Sequence, residues 1–318
     1  MKAPLYIVLL VVLIFCGCGE EDKVTEAVNN INLELKVSRF DNEFADASAA
    51  DISELRKEYP FLFPAPDSIW IAKLQDSLQI ELREEVRNEF AYFDKETADL
   101  ELLFKYIEYY FPNYPVPSVI TVTNDVDYNN RIILTDSLLL IGLDNYLGPE
   151  HKYYSGLQNY IAQDMNRDFI VSNIASAFAN KIVSRPKERT FLAQIIYYGK
   201  VLYLKDKVMP FHTDEQKITF SKDQLAWAEG NEEPMWRHFI ENELLYSTDN
   251  KLSQRFIDPA PFSKFGLELD NESPGQLGRY LGWQIVRSFM EKNDVSLQQL
   301  LNLTAEDIFK KSNYKPNK

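Results

Sequence analysis

Thiols, histidines and cations are all in short supply in this 318-residue chain. Its only cysteines are Cys16 and Cys18, and its only histidines are His151, His212 and His238. No two histidines are close enough in sequence to share a helical face, so a His-x-x-x-His zinc pair is missing. Gly-x-Ser-x-Gly elbows, phosphate-binding Walker loops and dinucleotide fingerprints are missing too. Lys and Arg number 34 against 48 Asp and Glu, a formal charge of -14. Such a surface repels phosphate backbones and excludes nucleic acid as a partner. Long apolar runs are lacking after residues 5–15. That run reaches about 16 Å as a helix, roughly half a bilayer core, which suits a secretory h-region and not a membrane span.

What is present begins with that leader. Residues 1–17 read as a lipoprotein signal peptide, with Lys2 as its charged end and Gly17 as the small residue before Cys18. Cys16 follows the bulky Phe15 and does not fit the cleavage pattern. Cys18 is therefore expected to be the lipidated first residue of the mature chain, carrying palmitate-type acyl chains that hold a soluble domain on a membrane. The alternative is an ordinary signal peptide with incidental cysteines. Cleavage before Cys18 leaves no thiol free for a disulfide or for thiol catalysis. Residues 18–30 are polar and unpatterned, so they read as a lipidated tether.

Residues 31–318 show no internal repeat and no polar linker, which predicts one domain. Apolar residues make up 45% of the chain, the composition of a globular core. Period-two alternation over 33–37, continuing to 41, predicts a strand. Residues 119–122, 132–134 and 138–142 predict three more, separated by turn residues. Apolar positions from Leu74 to Phe93 recur every three or four residues and predict one helix of about five turns. A second helix carries Leu100 to Ile107 and ends before Pro112. Beyond Pro149 the pattern is mainly helical, with helices near 160–178, 187–205, 222–246, 275–291 and 297–310. The fold class expected is α+β, predominantly α, with a small N-terminal sheet packed on a mainly helical second half.

Residues 191–204 are apolar nearly all round, which marks a central, buried helix. Gln194 and Tyr198 hold the four-residue spacing where a metalloprotease would carry its two histidines, and Ile195 stands where its glutamate would be. No metal ligand and no catalytic residue is assigned. Lys200 in this helix has two readings: a long side chain snorkelling or ion-paired, or a buried amine with a depressed pKa; the first is favoured. Glu229, Glu232 and Glu233 near Trp227 and Trp236 suggest a carbohydrate site, but a capping box at Ser221 puts them on the wet face of a helix. Gly278 and Gly282, one turn apart, form a smooth face for close helix packing, with Gly199 as the candidate opposite contact.

Several stretches resemble the gliding-motility lipoprotein family GldB of Bacteroidota. They are residues 142–148 (Gly-Leu-Asp-Asn-Tyr-Leu-Gly), Gly199-Lys200, the span from Trp227 to Trp236, and the ending from Pro259 to Pro316. That family is similar in turn to predicted zinc proteases, which implies a zincin-like fold. Their metal ligands do not carry over, since Gln194, Ile195 and Tyr198 stand in their places. The resemblance implies a cell-envelope lipoprotein required for gliding, anchored by lipid on Cys18 at the outer membrane. It implies a degenerate metalloprotease-like domain acting without cofactor as a non-catalytic partner of the gliding and type IX secretion apparatus. The candidate binding cleft is lined by Gln194, Tyr198, Lys200 and Trp283. A metal-dependent peptidase with a non-standard site, or a general envelope scaffold or chaperone, are the alternatives.

Overall fold

The computed structural model describes residues 20–266 and 270–317. The signal peptide and Cys18 lie outside the described residues. The first half holds helices α1 (Glu20–Asn29), α2 (Phe40–Asp46), α3 (Ile52–Glu58), α4 (Asp67–Gln75), α5 (Ser77–Glu89) and α6 (Asp94–Tyr110). Its strands are β1 (Val37–Ser38), β2 (Ser118–Val122), β3 (Ile132–Leu134) and β4 (Leu138–Gly142). The second half holds α7 (Asn159–Ala162), α8 (Ile170–Ile182), α9 (Phe191–Val208), α10 (Asp214–Ile218), α11 (Lys222–Gly230) and α12 (Glu232–Glu241). It continues with α13 (Lys251–Phe256), α14 (Leu277–Lys292), α15 (Leu297–Asn302) and α16 (Ala305–Ser312). The class is α+β and predominantly helical, as the pattern predicts, although the first half is itself rich in helices.

The sheet runs in the order β1-β2-β4-β3. β1, β2 and β4 are parallel, and β3 pairs antiparallel with β4. Alternation along the strands sends side chains to two separate cores. Val119, Leu139 and Ile141 face the large core with α6, α8 and α9. Ile120, Val122, Leu138 and Leu140 face a smaller aromatic cluster of Phe40, Phe44, Tyr59 and Phe63. A Thr135 side chain accepting the Leu138 N–H (2.9 Å) closes the β3–β4 turn.

Several expectations change; the helices expected over 160–178 and 297–310 each break, after Ala162 and after Asn302. The strand over 33–41 shrinks to two residues, because β1 meets β2 only at Val37 and Ser38 and the chain turns into α2 at Phe40. The helix over 74–93 is two helices, since Asp76 ends α4 and its carboxylate caps α5 by accepting the Gln79 N–H (2.9 Å). The helix over 222–246 breaks at Asn231 into α11 and α12. In addition, much of the expected tether is α1, whose Val28 is fully buried and whose Val24 packs on the same core.

α9 is the axis of the second half. Thr190 caps it by accepting the Ala193 N–H (3.2 Å). The first two helical N–H groups donate to Ser247 O (2.9 Å) and Leu245 O (2.7 Å). α14 lies against it at backbone contact, as the glycine spacing predicts. A Cβ placed on Gly282 would stand 1.9 Å from Ile195 O, and one on Gly199 would stand 2.2 Å from Gly282 O.

Candidate functional site

Residues 194–198 of α9 divide by what covers each. Ile195 is fully buried, and its carbonyl and side chain face Gly282 and Gly278. Gln194 and Tyr198, one turn apart, stay half-buried on a neighbouring stripe. Gln194 Oε1 accepts from the Ser253 hydroxyl on α13, and its amide donates to Arg189 O (3.4 Å). The Tyr198 ring carries the Arg279 guanidinium 4.2 Å from its centroid. Tyr197 beside it is buried, packs edge-on against Tyr198 (5.0 Å) and carries Arg185 at 4.8 Å. The Tyr197 hydroxyl donates to Asn180 Oδ1 (3.2 Å), which fixes the ring.

Arg279 Nε donates to Ile257 O (2.7 Å). Burial, reinforced by the like charge of Arg185, lowers its pKa. Arg185 comes from the loop between α8 and α9 and is exposed. Neither arginine lies within ion-pair distance of a carboxylate of the described residues. Two concavities, of about 650 and 560 Å³, lie elsewhere, around Asn159 and around Tyr246.

The other two residues expected in the cleft do not join it. Lys200 turns inward, where its ammonium caps α15 by donating to Leu301 O (3.1 Å) and Leu303 O (2.7 Å). Burial lowers its pKa to about 8. Trp283 is fully buried; its indole N–H donates to Asp206 Oδ2 (2.8 Å) and Arg287 lies 3.6 Å over its ring. Arg287 also clamps Asp206 and Asp214, tying α9, α10 and α14 together.

Sequence reasoning missed Arg185, Arg279 and Ser253, because each reaches the stripe from a different element. It also misplaced Glu232, which is buried. Its carboxylate accepts from the Tyr280 (3.1 Å) and Tyr314 (2.5 Å) hydroxyls and from the Asn317 N–H and side-chain amide (both 3.2 Å). A second buried acid, Asp144, follows β4. It accepts the N–H groups of Asn124 (3.0 Å) and Val126 (2.7 Å), presented by a loop with positive φ at Asp125 and Val126. Burial raises the Asp144 pKa to about 6 despite those bonds. The deepest cation, Lys205, has its three protons shared among Ser172 Oγ (2.8 Å), Ser176 Oγ (2.9 Å) and Lys217 O. Among the described residues, no three His, Cys, Asp or Glu side chains are grouped to hold a metal. His212, beside Phe211, has its pKa lowered by burial to about 4, and His238 packs on Phe265.

The family model for gliding motility protein GldB matches residues 21–316. No curated protein and no solved structure matches the chain.

Proposed function

The chain belongs to the gliding motility protein GldB family, and from that premise we propose that it is a non-catalytic, partner-binding component of the gliding and type IX secretion apparatus. In this reading Cys18 carries the lipid that holds the domain at the cell envelope, on the outer membrane. The domain then offers the Gln194–Tyr198 surface of α9 to a protein partner. The zincin-like ancestry implied by the resemblance belongs to the same reading: the scaffold is kept and the metal chemistry is not.

One observation supports it above the others. The stripe of α9 where a zincin places its catalytic glutamate is filled by Ile195 pressed on Gly278 and Gly282. The adjoining stripe, with Gln194 and Tyr198, is instead half-open and held from three sides by Ser253, Arg279 and Tyr197. Rigid, anchored polar and aromatic groups at a surface suit recognition.

Regulated depletion in the native organism tests the role. Single-cell movement on glass should stop before growth falters or adhesin secretion fails. If growth or envelope integrity fails first, a general envelope scaffold or chaperone replaces this reading. Stoichiometric metal or peptide cleavage by the purified domain would replace it with the peptidase. Cys18→Ala should abolish incorporation of labelled palmitate; label retained by that variant would overturn the anchor.

A further inference from the structure

Seven of the twelve arginines hold a carboxylate of the described residues, Arg56, Arg87 and Arg237 among them. Arg39, Arg131, Arg167 and Arg287 each hold a carboxylate within 2.9 Å. Arg83, which has none, spends its fork on the carbonyls of Lys73 and Leu74 at the end of α4. Arg189, which is exposed, and Arg255, whose Nε donates to Lys264 O (2.7 Å), also lack a carboxylate among the described residues. Arg185 and Arg279 lack one too, and of these arginines they alone act on each other electrostatically from neighbouring rings. They sit on adjacent rings, Tyr197 and Tyr198, whose centroids are 5.0 Å apart.

Like charges gathered without a counter-ion cost free energy, and the cost rises as water is excluded. Asp258 is the carboxylate that acts electrostatically on Arg279, yet no ion pair within 4 Å joins them. Seating over tyrosine faces holds both guanidiniums in place, and apart from Arg279 Nε their donors make no hydrogen bond among the described residues. Such planar forks, held in advance, match the two oxygens of a carboxylate.

We propose that Arg185 and Arg279, seated on Tyr197 and Tyr198, form a receptor for a single carboxylate of the partner protein, from an acidic side chain or a chain end. This rests on the partner-binding reading above and names the chemistry of that partner. The rest of the surface narrows the class further. A net charge of -14 repels polyanions such as anionic bilayers and nucleic acids at long range. One carboxylate on a largely neutral surface meets only the local pair, within the screening length of about 8 Å. Gln194, anchored by Ser253, supplies a neutral amide flank.

The test uses the purified chain from Gly19 to its end, with arginine Nε–H signals followed by NMR. Arg185 and Arg279 signals are assigned by their Lys variants. The probe is a short capped peptide carrying one Glu, with its Gln counterpart as control. Saturable shifts of both signals by the Glu peptide only, at least fivefold weaker binding in Arg185→Gln, and loss of binding in 0.5 M salt are expected. Arg185 is exposed, so its variant should fold even if Arg279→Gln, which loses the bond to Ile257, does not. Equal binding of the Gln peptide, or tenfold tighter binding of inorganic phosphate, overturns the carboxylate assignment. Glu268 lies outside the described residues; if Glu268→Gln is needed before the probe binds, the pair is internally neutralised and the proposal fails. The gliding assay separates the two readings. Probe binding with normal gliding of Arg185→Gln cells would leave the carboxylate receptor standing and remove its role in motility. Lost gliding without probe binding would do the reverse.

Discussion

At the scale of single residues, the chain tolerates buried charge by surrounding it with dipoles more often than with counter-ions. Asp144, Lys205 and Glu232 are each fully or nearly buried, and each is held by hydroxyls, amides or backbone groups. Asp144 has the most direct consequence. Its carboxyl titrates near 6 in the fold, above its ordinary value of 3.8, because burial outweighs the N–H groups that favour the anion. Below pH 4 both folded and unfolded chains keep the proton, so no penalty exists. Between pH 4 and 6 the unfolded chain releases it first, and stability falls; above 6 the loss levels off at no more than about 3 kcal/mol. Acids held below the ordinary 3.8, Asp125 and Asp214 among them, act with the opposite sign and at lower pH. The informative quantity is therefore the difference from Asp144→Asn. Denaturant unfolding at pH 4 and pH 7 should show that variant gaining on the native chain by up to about 3 kcal/mol as pH rises. A difference independent of pH would mean that Asp144 is not strained by its burial.

At the scale of elements, the decisive contact is the crossing of α9 and α14. Gly199 and Gly282 bring the two backbones together, and Ile195 O occupies the space a side chain on Gly282 would need. Gly282→Ala must push the helices apart, at a cost of about 3 kcal/mol or more. Gly230, the last residue of α11, has open space around it, so Gly230→Ala should be neutral or stabilising by up to about 1 kcal/mol. Thermal melting of the two variants side by side checks this: equal midpoints would remove the close-packing account. This crossing was legible in the sequence, because glycines one turn apart in an apolar pattern have few other uses. β3 and β4 were legible to the residue, since turn residues flank both. Helix breaks were not. Apolar periodicity runs straight across Asp76 and Asn231, although Asp76 with Gln79 three positions on is a cap signal that periodicity overrides. The Tyr198–Arg279 stack and the Tyr197–Arg185 stack were equally hidden, because the arginines come from another helix and a loop, and nothing local marks a stacked guanidinium.

At the scale of the whole molecule, the two ends of the described chain behave as parts of the core. α1 buries Val28, and its Thr25 approaches the Tyr106 hydroxyl (3.5 Å). The final residues cross α12 and α14, where Tyr314 and Asn317 satisfy Glu232 and the Lys292 ammonium donates to Ser312 O (2.9 Å) and Asn313 O (3.0 Å). Sequence alone gave no sign of this, since Glu232 and Tyr314 are 82 positions apart and Glu232 sits in an acidic run that reads as solvated. Removing residues 313–318 leaves the buried carboxylate with the Tyr280 hydroxyl as its remaining protein donor among the described residues. An abandoned buried charge costs about 3–5 kcal/mol, more than the lost contacts of an exposed tail would. Glu232→Gln removes the charge, so it should destabilise the full chain yet partly restore the shortened one. The two changes are then non-additive by at least about 1 kcal/mol, which a double-mutant cycle of unfolding free energies measures directly. Additive costs would mean that the tail stabilises the fold through Tyr314 packing on Trp236 and not through the acid it covers.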